Sequence, residues 1–89
     1  MGVRFILRGS VVQLFYNDRN SGRLRVSTKI KVDSKDWIEG KERLKDDDKV
    51  KNPSFNRDVN IKLNEIESSI LKLKDSTTIT ETVLKRTIS

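Results

Sequence analysis

The chain has 89 residues, 34% of them hydrophobic, and 19 Lys and Arg against 13 Asp and Glu give it a formal net charge of +6. This length allows one small domain with a modest core and excludes an enzyme built of several layers. The absence of Cys and His from the sequence excludes zinc fingers, thiol nucleophiles and histidine bases, and is typical of a reducing compartment. No stretch is apolar or long enough for a signal peptide or a membrane span.

The positive charge is concentrated in the first third of the chain. Residues 1–32 contain seven basic residues and one acidic residue, whereas residues 33–89 contain 12 of each. A solvated surface usually mixes both signs, whereas a surface of one sign attracts polyanions, of which nucleic acid is the commonest.

Three segments with strand-forming composition begin the chain. Residues 3–8 predict a first strand that stops at a Gly-Ser pair, and residues 11–17 predict a second. Residues 18–22 are all turn formers, and they separate the second strand from a third at residues 23–32. The second and third strands should therefore form an antiparallel hairpin.

The third predicted strand alternates between apolar and polar or charged residues. Successive side chains of a strand lie on opposite faces of a sheet, so this pattern separates a core face from a basic face. We expect the core face to carry Val3, Phe5, Leu7, Val12, Leu14, Tyr16, Leu24, Val26, Thr28, Ile30 and Val32. We expect the outward face to carry Arg4, Arg8, Gln13, Phe15, Asn17, Arg23, Arg25, Ser27, Lys29 and Lys31.

The outward face has the composition of a DNA-binding surface. Arg and Lys neutralise phosphates or donate to guanine, Gln and Asn can pair with adenine, and Phe15 can contact a thymine methyl group. A β-ribbon is narrow enough to enter the major groove. Two other interpretations stay open: an ordinary solvated sheet face, and a Phe15 that is covered by a loop or by the tail.

A short capped turn and a charged loop are predicted after the third strand. Asp33 can cap one helical turn, and we expect Trp37 to close one end of the core. Residues 38–51 predict a solvated loop that includes three consecutive Asp residues at 46–48. These lack the spacing of a calcium loop, so we expect no metal site.

A long amphipathic helix is predicted to start at Asn52 and Pro53, with Asn as the cap and Pro at the first helical position. Its apolar residues follow steps of three and four and should cover the sheet: Phe55, Val59, Leu63, Ile66, Ile70 and Leu73. The rest of this helix carries charges of both signs, Lys62 among them.

A short second helix should end near residue 88. Two caps are possible for this helix. Thr80 could cap it, with Ile79 and Leu84 as a hydrophobic staple, or Thr78 could cap it, with Glu81 completing a capping box. The predicted fold class is therefore α+β: a three-stranded antiparallel β-sheet packed on one long C-terminal α-helix, with a short extra helix at the C-terminal end.

The order of these elements and several short motifs resemble the N-terminal arm-type DNA-binding domain of tyrosine recombinases, the integrases of prophages and conjugative transposons. The resemblance covers nearly the whole chain. Its most telling part is the pair Ser27-Thr28, followed by a basic and aliphatic run and by Lys35-Asp36-Trp37. Other matching segments are residues 3–8, 12–16 and 60–66. Family members often carry Gly after the Ser-Thr pair, where this chain has Lys29.

This resemblance implies sequence-specific binding of double-stranded DNA, with the sheet in the major groove of arm-type sites that flank the recombination core. It divides the chain into an arm-type domain at residues 1–75 and, at residues 76–89, a linker and the start of a following helical domain. In that family a separate domain supplies the arginines, histidine and tyrosine that cleave and rejoin DNA. This chain has no His, and its one Tyr, Tyr16, is predicted on the core face, so we expect no catalysis.

The expected partner is therefore duplex DNA in the cytoplasm, at a bacterial nucleoid, with other recombinase protomers contacted through further domains. We expect no cofactor, no small-molecule substrate and no membrane contact. Two alternatives are a module whose basic face binds an acidic protein and an RNA-binding domain of the same outline. Readers of single-stranded RNA display several stacking aromatic residues on their sheet, whereas this face offers Phe15 alone.

Overall fold

The computed structural model describes residues 2–88. Its first third is an antiparallel sheet with the second strand in the centre. Its strands are β1 (Gly2–Arg8), β2 (Val11–Asp18) and β3 (Gly22–Lys31). A 3-10 turn (Ser34–Asp36) follows, and then two short paired strands, β4 (Trp37–Ile38) and β5 (Arg43–Leu44). The chain continues into two helices, α1 (Pro53–Leu73) and α2 (Glu81–Ile88). The predicted α+β fold, with its three-stranded sheet, long helix and short extra helix, is confirmed.

The core forms from the inner face of the sheet and the apolar residues of the helices, as the strand periodicity predicts. The buried sheet residues, with the Val32 that follows them, are Phe5, Val12, Leu14, Tyr16, Val26, Thr28 and Val32. The partly buried residues that pack against the same core include Val3, Leu7, Leu24, Ile30 and Trp37. The alternation of β3 thus assigns its two faces correctly.

The start of α1 has the predicted cap, but the prediction that Phe55 belongs to the core is wrong. Asn52 Oδ1 accepts the Phe55 N–H at 3.3 Å, and Pro53 occupies the first turn. Phe55 itself is 43% exposed, and the neighbouring Asn56 is buried in its place at 3%. Asn56 Nδ2 donates to the Lys45 carbonyl at 2.6 Å and to an Asp36 carboxylate oxygen at 3.0 Å. The side chain of Asn56 thus satisfies a partly buried carbonyl, for which Phe has no hydrogen-bond donor.

The segment at residues 38–51 is not wholly a loop, because its Ile38 and β5 belong to the short hairpin that β4 begins at Trp37. Two-residue strands are too short to produce an alternating pattern in the sequence. The side chain of Asn60 in α1 bonds to the backbone of this hairpin at Leu44. Its Oδ1 accepts the Leu44 N–H at 2.8 Å, and its Nδ2 donates to the Leu44 carbonyl at 2.9 Å. Arg43 adds an ion pair with Glu67 of α1 at 2.9 Å.

The second helix is capped by Thr80, whose Oγ1 accepts the Val83 N–H at 3.2 Å, so the first of the two predicted caps is confirmed. Ile79 and Leu84, the predicted staple, are 2% and 0% exposed and belong to the same core as the sheet. Residues 76–88 therefore contribute to the core of the domain that precedes them, while Ser89 lies outside the described residues. The domain boundary at residue 75 stays a prediction.

Within residues 2–88, no helix combines the length and the apolar character needed to cross a bilayer. The same residues include no group of acidic side chains arranged to hold a metal ion.

Candidate nucleic-acid interface

The outward face of the sheet is organised in cross-strand rows, because directly paired residues of antiparallel strands lie on the same face. Arg4, Phe15 and Arg25 form one row across the three strands. The next row consists of Ile6, Gln13 and Ser27, so that Gln13 lies beside Phe15 on the central strand. The two outer rows are Gly2, Asn17 and Arg23 at one end and Arg8, Val11 and Lys31 at the other.

This outward face is accessible and carries charge of one sign. Gln13 and Phe15 are half-buried between their neighbours, whereas the basic residues of the four rows are exposed. An open depression on the face is lined by Gly2, Arg4, Phe15, Tyr16, Asn17, Arg23, Leu24 and Arg25. None of the four rows contains Asp or Glu. The structure therefore brings together all the predicted outward residues except Lys29.

Arg4 differs from the other arginines of this face because it is paired. Its Nε lies 3.0 Å from a carboxylate oxygen of Glu42, and the side chain of Arg4 is still 67% exposed. The other carboxylate oxygen of Glu42 accepts the N–H of Phe5 at 2.8 Å. Glu42 thus occupies a donor of the edge strand β1, and it partly neutralises the charge of Arg4 at that edge.

Lys29 lies outside the rows because β3 contains an irregularity opposite Val12. Val11 pairs with Lys31 and Gln13 pairs with Ser27, so residues 28–30 face one residue of β2. Lys29 has a φ of 61°, in the left-handed region that glycine adopts most readily. This bulge removes Lys29 from the ladder and keeps Lys31 on the outward face.

The hydroxyl groups of Ser27 and Thr28 stabilise the bulge. Ser27 Oγ accepts the Lys29 N–H at 3.1 Å, and Thr28 Oγ1 accepts the Ile30 N–H at 3.2 Å. The Thr28 hydroxyl also donates to the Val12 carbonyl at 2.7 Å. The Ser-Thr pair thus satisfies polar groups that the interrupted ladder leaves without strand partners.

Lys29→Gly is expected to raise the free energy of unfolding by up to about 1.6 kcal/mol, as measured by urea denaturation. A left-handed backbone conformation costs a residue other than Gly about 1–2 kcal/mol, and Gly removes this cost. The greater freedom of Gly in the unfolded chain offsets about 0.4–1 kcal/mol of the gain. Lys31→Gly is the matched control, because Lys31 pairs with Val11 in the ladder. There Gly should cost about 0.5–1 kcal/mol. A Lys29→Gly variant less stable than Lys31→Gly would contradict this view of the bulge.

The turn between β2 and β3 is held by Asp18, which accepts hydrogen bonds from the Tyr16 hydroxyl and the Ser21 N–H. The hydrogen bond from Tyr16, and then that from Ser21, lower the pKa of the Asp18 carboxyl. Burial, followed by the hydrogen bond to Asp18, raises the pKa of Tyr16 to about 12. At neutral pH the pair is therefore a neutral phenol and a carboxylate, and it fixes the end of the hairpin next to Asn17 and Arg23.

Neither the family models nor the curated proteins nor the solved structures provide a significant match to this chain.

Several residues of the interface were not singled out from the sequence. Ile6 lies on the outward face, and only its strand parity could have placed it there, since apolar residues normally indicate a core. Lys62, Lys85 and Arg86 line a groove that also includes Lys29. No local pattern could have linked these residues, because they belong to different elements.

Proposed function

We propose that this chain binds double-stranded DNA by placing the outward face of its sheet in the major groove, as the arm-type domain of a tyrosine recombinase. The observation that carries the proposal is the row of Arg4, Phe15 and Arg25, with Gln13 adjacent to it on the central strand. In this row two arginines flank the ring of Phe15, and the side-chain amide of Gln13 beside it can both donate and accept hydrogen bonds.

The dimensions of the sheet agree with this mode of binding. Neighbouring strands lie about 4.8 Å apart, so the backbones of three strands span about 10 Å, against a major groove about 12 Å wide. Gln13 lies on the central strand and Arg25 on β3, both in the two middle rows, where base edges would be within reach. Arg8 and Lys31 lie in an end row, which favours contacts with phosphate.

The bulge supports the resemblance to the recombinase family. Members often have Gly after the Ser-Thr pair, and in this chain the residue at that position has the left-handed φ that favours Gly. The hydroxyls of Ser27 and Thr28 have a structural role at the same place, through the N–H groups of Lys29 and Ile30. The motif is thus accounted for by backbone geometry, which is independent of the charge of the outward face.

Binding to duplex DNA should fall steeply with salt concentration. If about 4 to 6 phosphates are neutralised, log K should change with log salt at a slope of roughly −4 to −5. Fluorescence anisotropy with a labelled 20-base-pair duplex, at salt concentrations from about 50 to 200 mM, measures this slope. Single-stranded RNA and an acidic protein serve as competitors. An affinity that is independent of salt, or tighter binding to either competitor, would overturn the proposal.

Sequence preference should depend on the two middle rows of the face. On a duplex selected from a random library, Arg25→Ala or Gln13→Ala should lose about 1–3 kcal/mol of binding free energy, with a smaller loss on a scrambled duplex. Lys72→Ala, on a surface of α1 away from the sheet rows, is the control and should change both affinities little. A loss from Lys72→Ala larger than that from Arg25→Ala would reject the sheet as the reading surface.

A further inference from the structure

The two edges of the sheet differ in charge. At the β1 edge, Glu42 bonds to Arg4 and to the Phe5 N–H, and Glu39 lines the depression beside Trp37. At the β3 edge, a groove runs between the bulge, α1 and α2, and its lining includes four basic residues and no acidic one: Ser27, Thr28, Lys29, Lys62, Thr82, Lys85, Arg86 and Ile88. The bulge turns Lys29 out of the ladder and toward this groove, and α1 and α2 supply its other basic residues.

We infer that this groove, called here the β3-edge groove, binds the phosphate backbone of one strand of the duplex whose major groove the sheet enters. The inference rests on the proposed function. A sheet lying in a major groove has its two edges next to the two phosphate backbones. Ser27 belongs both to the outward face and to the β3-edge groove, so the two surfaces are continuous.

The charges of the β3-edge groove suit phosphate. Lys29, Lys62 and Lys85 are exposed, and each supplies an ammonium group on a flexible stem. The Lys85 Nζ lies 3.1 Å from Glu81, but both side chains are more than half exposed. Such surface pairs contribute little, so Lys85 can exchange Glu81 for a phosphate. The hydroxyl of Thr82 adds a hydrogen-bond donor to the same wall.

The difference in charge between the two edges makes the same orientation selective. Arg4 and Arg8 belong to β1, but Glu42 pairs with Arg4 and Glu39 lines the same depression. A phosphate backbone placed along β3 would instead meet the lysines of the β3-edge groove, whose lining includes no acidic residue. The domain should therefore hold one strand of the duplex more tightly than the other, with the β3 edge against the tightly held strand.

The test compares two double variants of equal charge, each measured with a labelled random-sequence 20-base-pair duplex over the same salt range. K62Q/K85Q removes two ammonium groups from the β3-edge groove, and K72Q/K74Q removes two from the C-terminal end of α1. The slope of log K against log salt should become less negative by about 2 for K62Q/K85Q, because each phosphate contact contributes about 0.9. It should change by less than half of that for K72Q/K74Q.

A gain-of-charge variant keeps the test independent of any folding defect. Thr82→Lys adds a cation to the β3-edge groove and should steepen the slope by about 0.9, whereas Ser68→Lys on the outer surface of α1 should not. Equal slopes for the two double variants, or for the two gain variants, overturn the inference and leave the proposed function standing. A wild-type chain without salt-dependent binding of duplex DNA overturns both.

Discussion

Leu63→Ala is expected to lower the free energy of unfolding by about 2 to 5 kcal/mol. Leu63 lies in the middle of α1, is fully buried, and belongs to the cluster that joins the helix to the sheet. The substitution removes buried apolar surface and leaves a cavity that close-packed neighbours fill only in part. Small domains have total stabilities of about 5–15 kcal/mol, so the variant should be partly unfolded near 37 °C. Urea denaturation followed by the fluorescence of Trp37, the chain's one Trp, measures the loss.

Arg25→Ala is the matched control for the other side of the sheet. Arg25 is exposed on the outward face, so its removal should change stability by no more than about 0.5 kcal/mol. An unfolded Arg25 variant together with a stable Leu63 variant would mean that the core face and the outward face are interchanged.

Leu84→Ala should have an effect of similar size, about 2 to 5 kcal/mol, although Leu84 lies in the segment that the sequence assigns to a linker and a following domain. Leu84 is 0% exposed and forms part of the same core as Tyr16 and Leu63. Urea denaturation should show one cooperative transition moved to lower urea concentration, because α2 packs on β3 and α1.

Thr82→Ala is the control for Leu84→Ala, since Thr82 is exposed on the same helix and should be nearly neutral. A Leu84→Ala variant as stable as Thr82→Ala would mean that α2 folds independently of the sheet. That result would agree with a boundary at residue 75, whereas a large loss would place the end of the structural domain beyond Leu84.

Predictions from local patterns were accurate at the helix starts, where the deciding interactions span a few residues. The caps at Asn52 and Thr80 bond to N–H groups three residues ahead, and both are seen in the structure. The apolar stripe of α1 depends in contrast on what the helix contacts, which is why Asn56 and not Phe55 is buried next to the Lys45 carbonyl. A periodic pattern identifies the side of a helix that faces the core, but not which polar group of another segment requires a partner there.

The sequence alone determined the two faces of the sheet, the hairpin, the start of the first helix and the basic character of the outward face, because alternation, turn chemistry and capping are local properties. Tertiary structure decided the position of Lys29, the pairing of Arg4 with Glu42, and the meeting of Lys62 and Lys85 at the β3 edge. These features depend on a register shift and on contacts between residues far apart in the chain. Like charges such as those of Lys29, Lys62 and Lys85 do not attract one another, so the packing of apolar residues beneath them, and not the charges, is what brings them together.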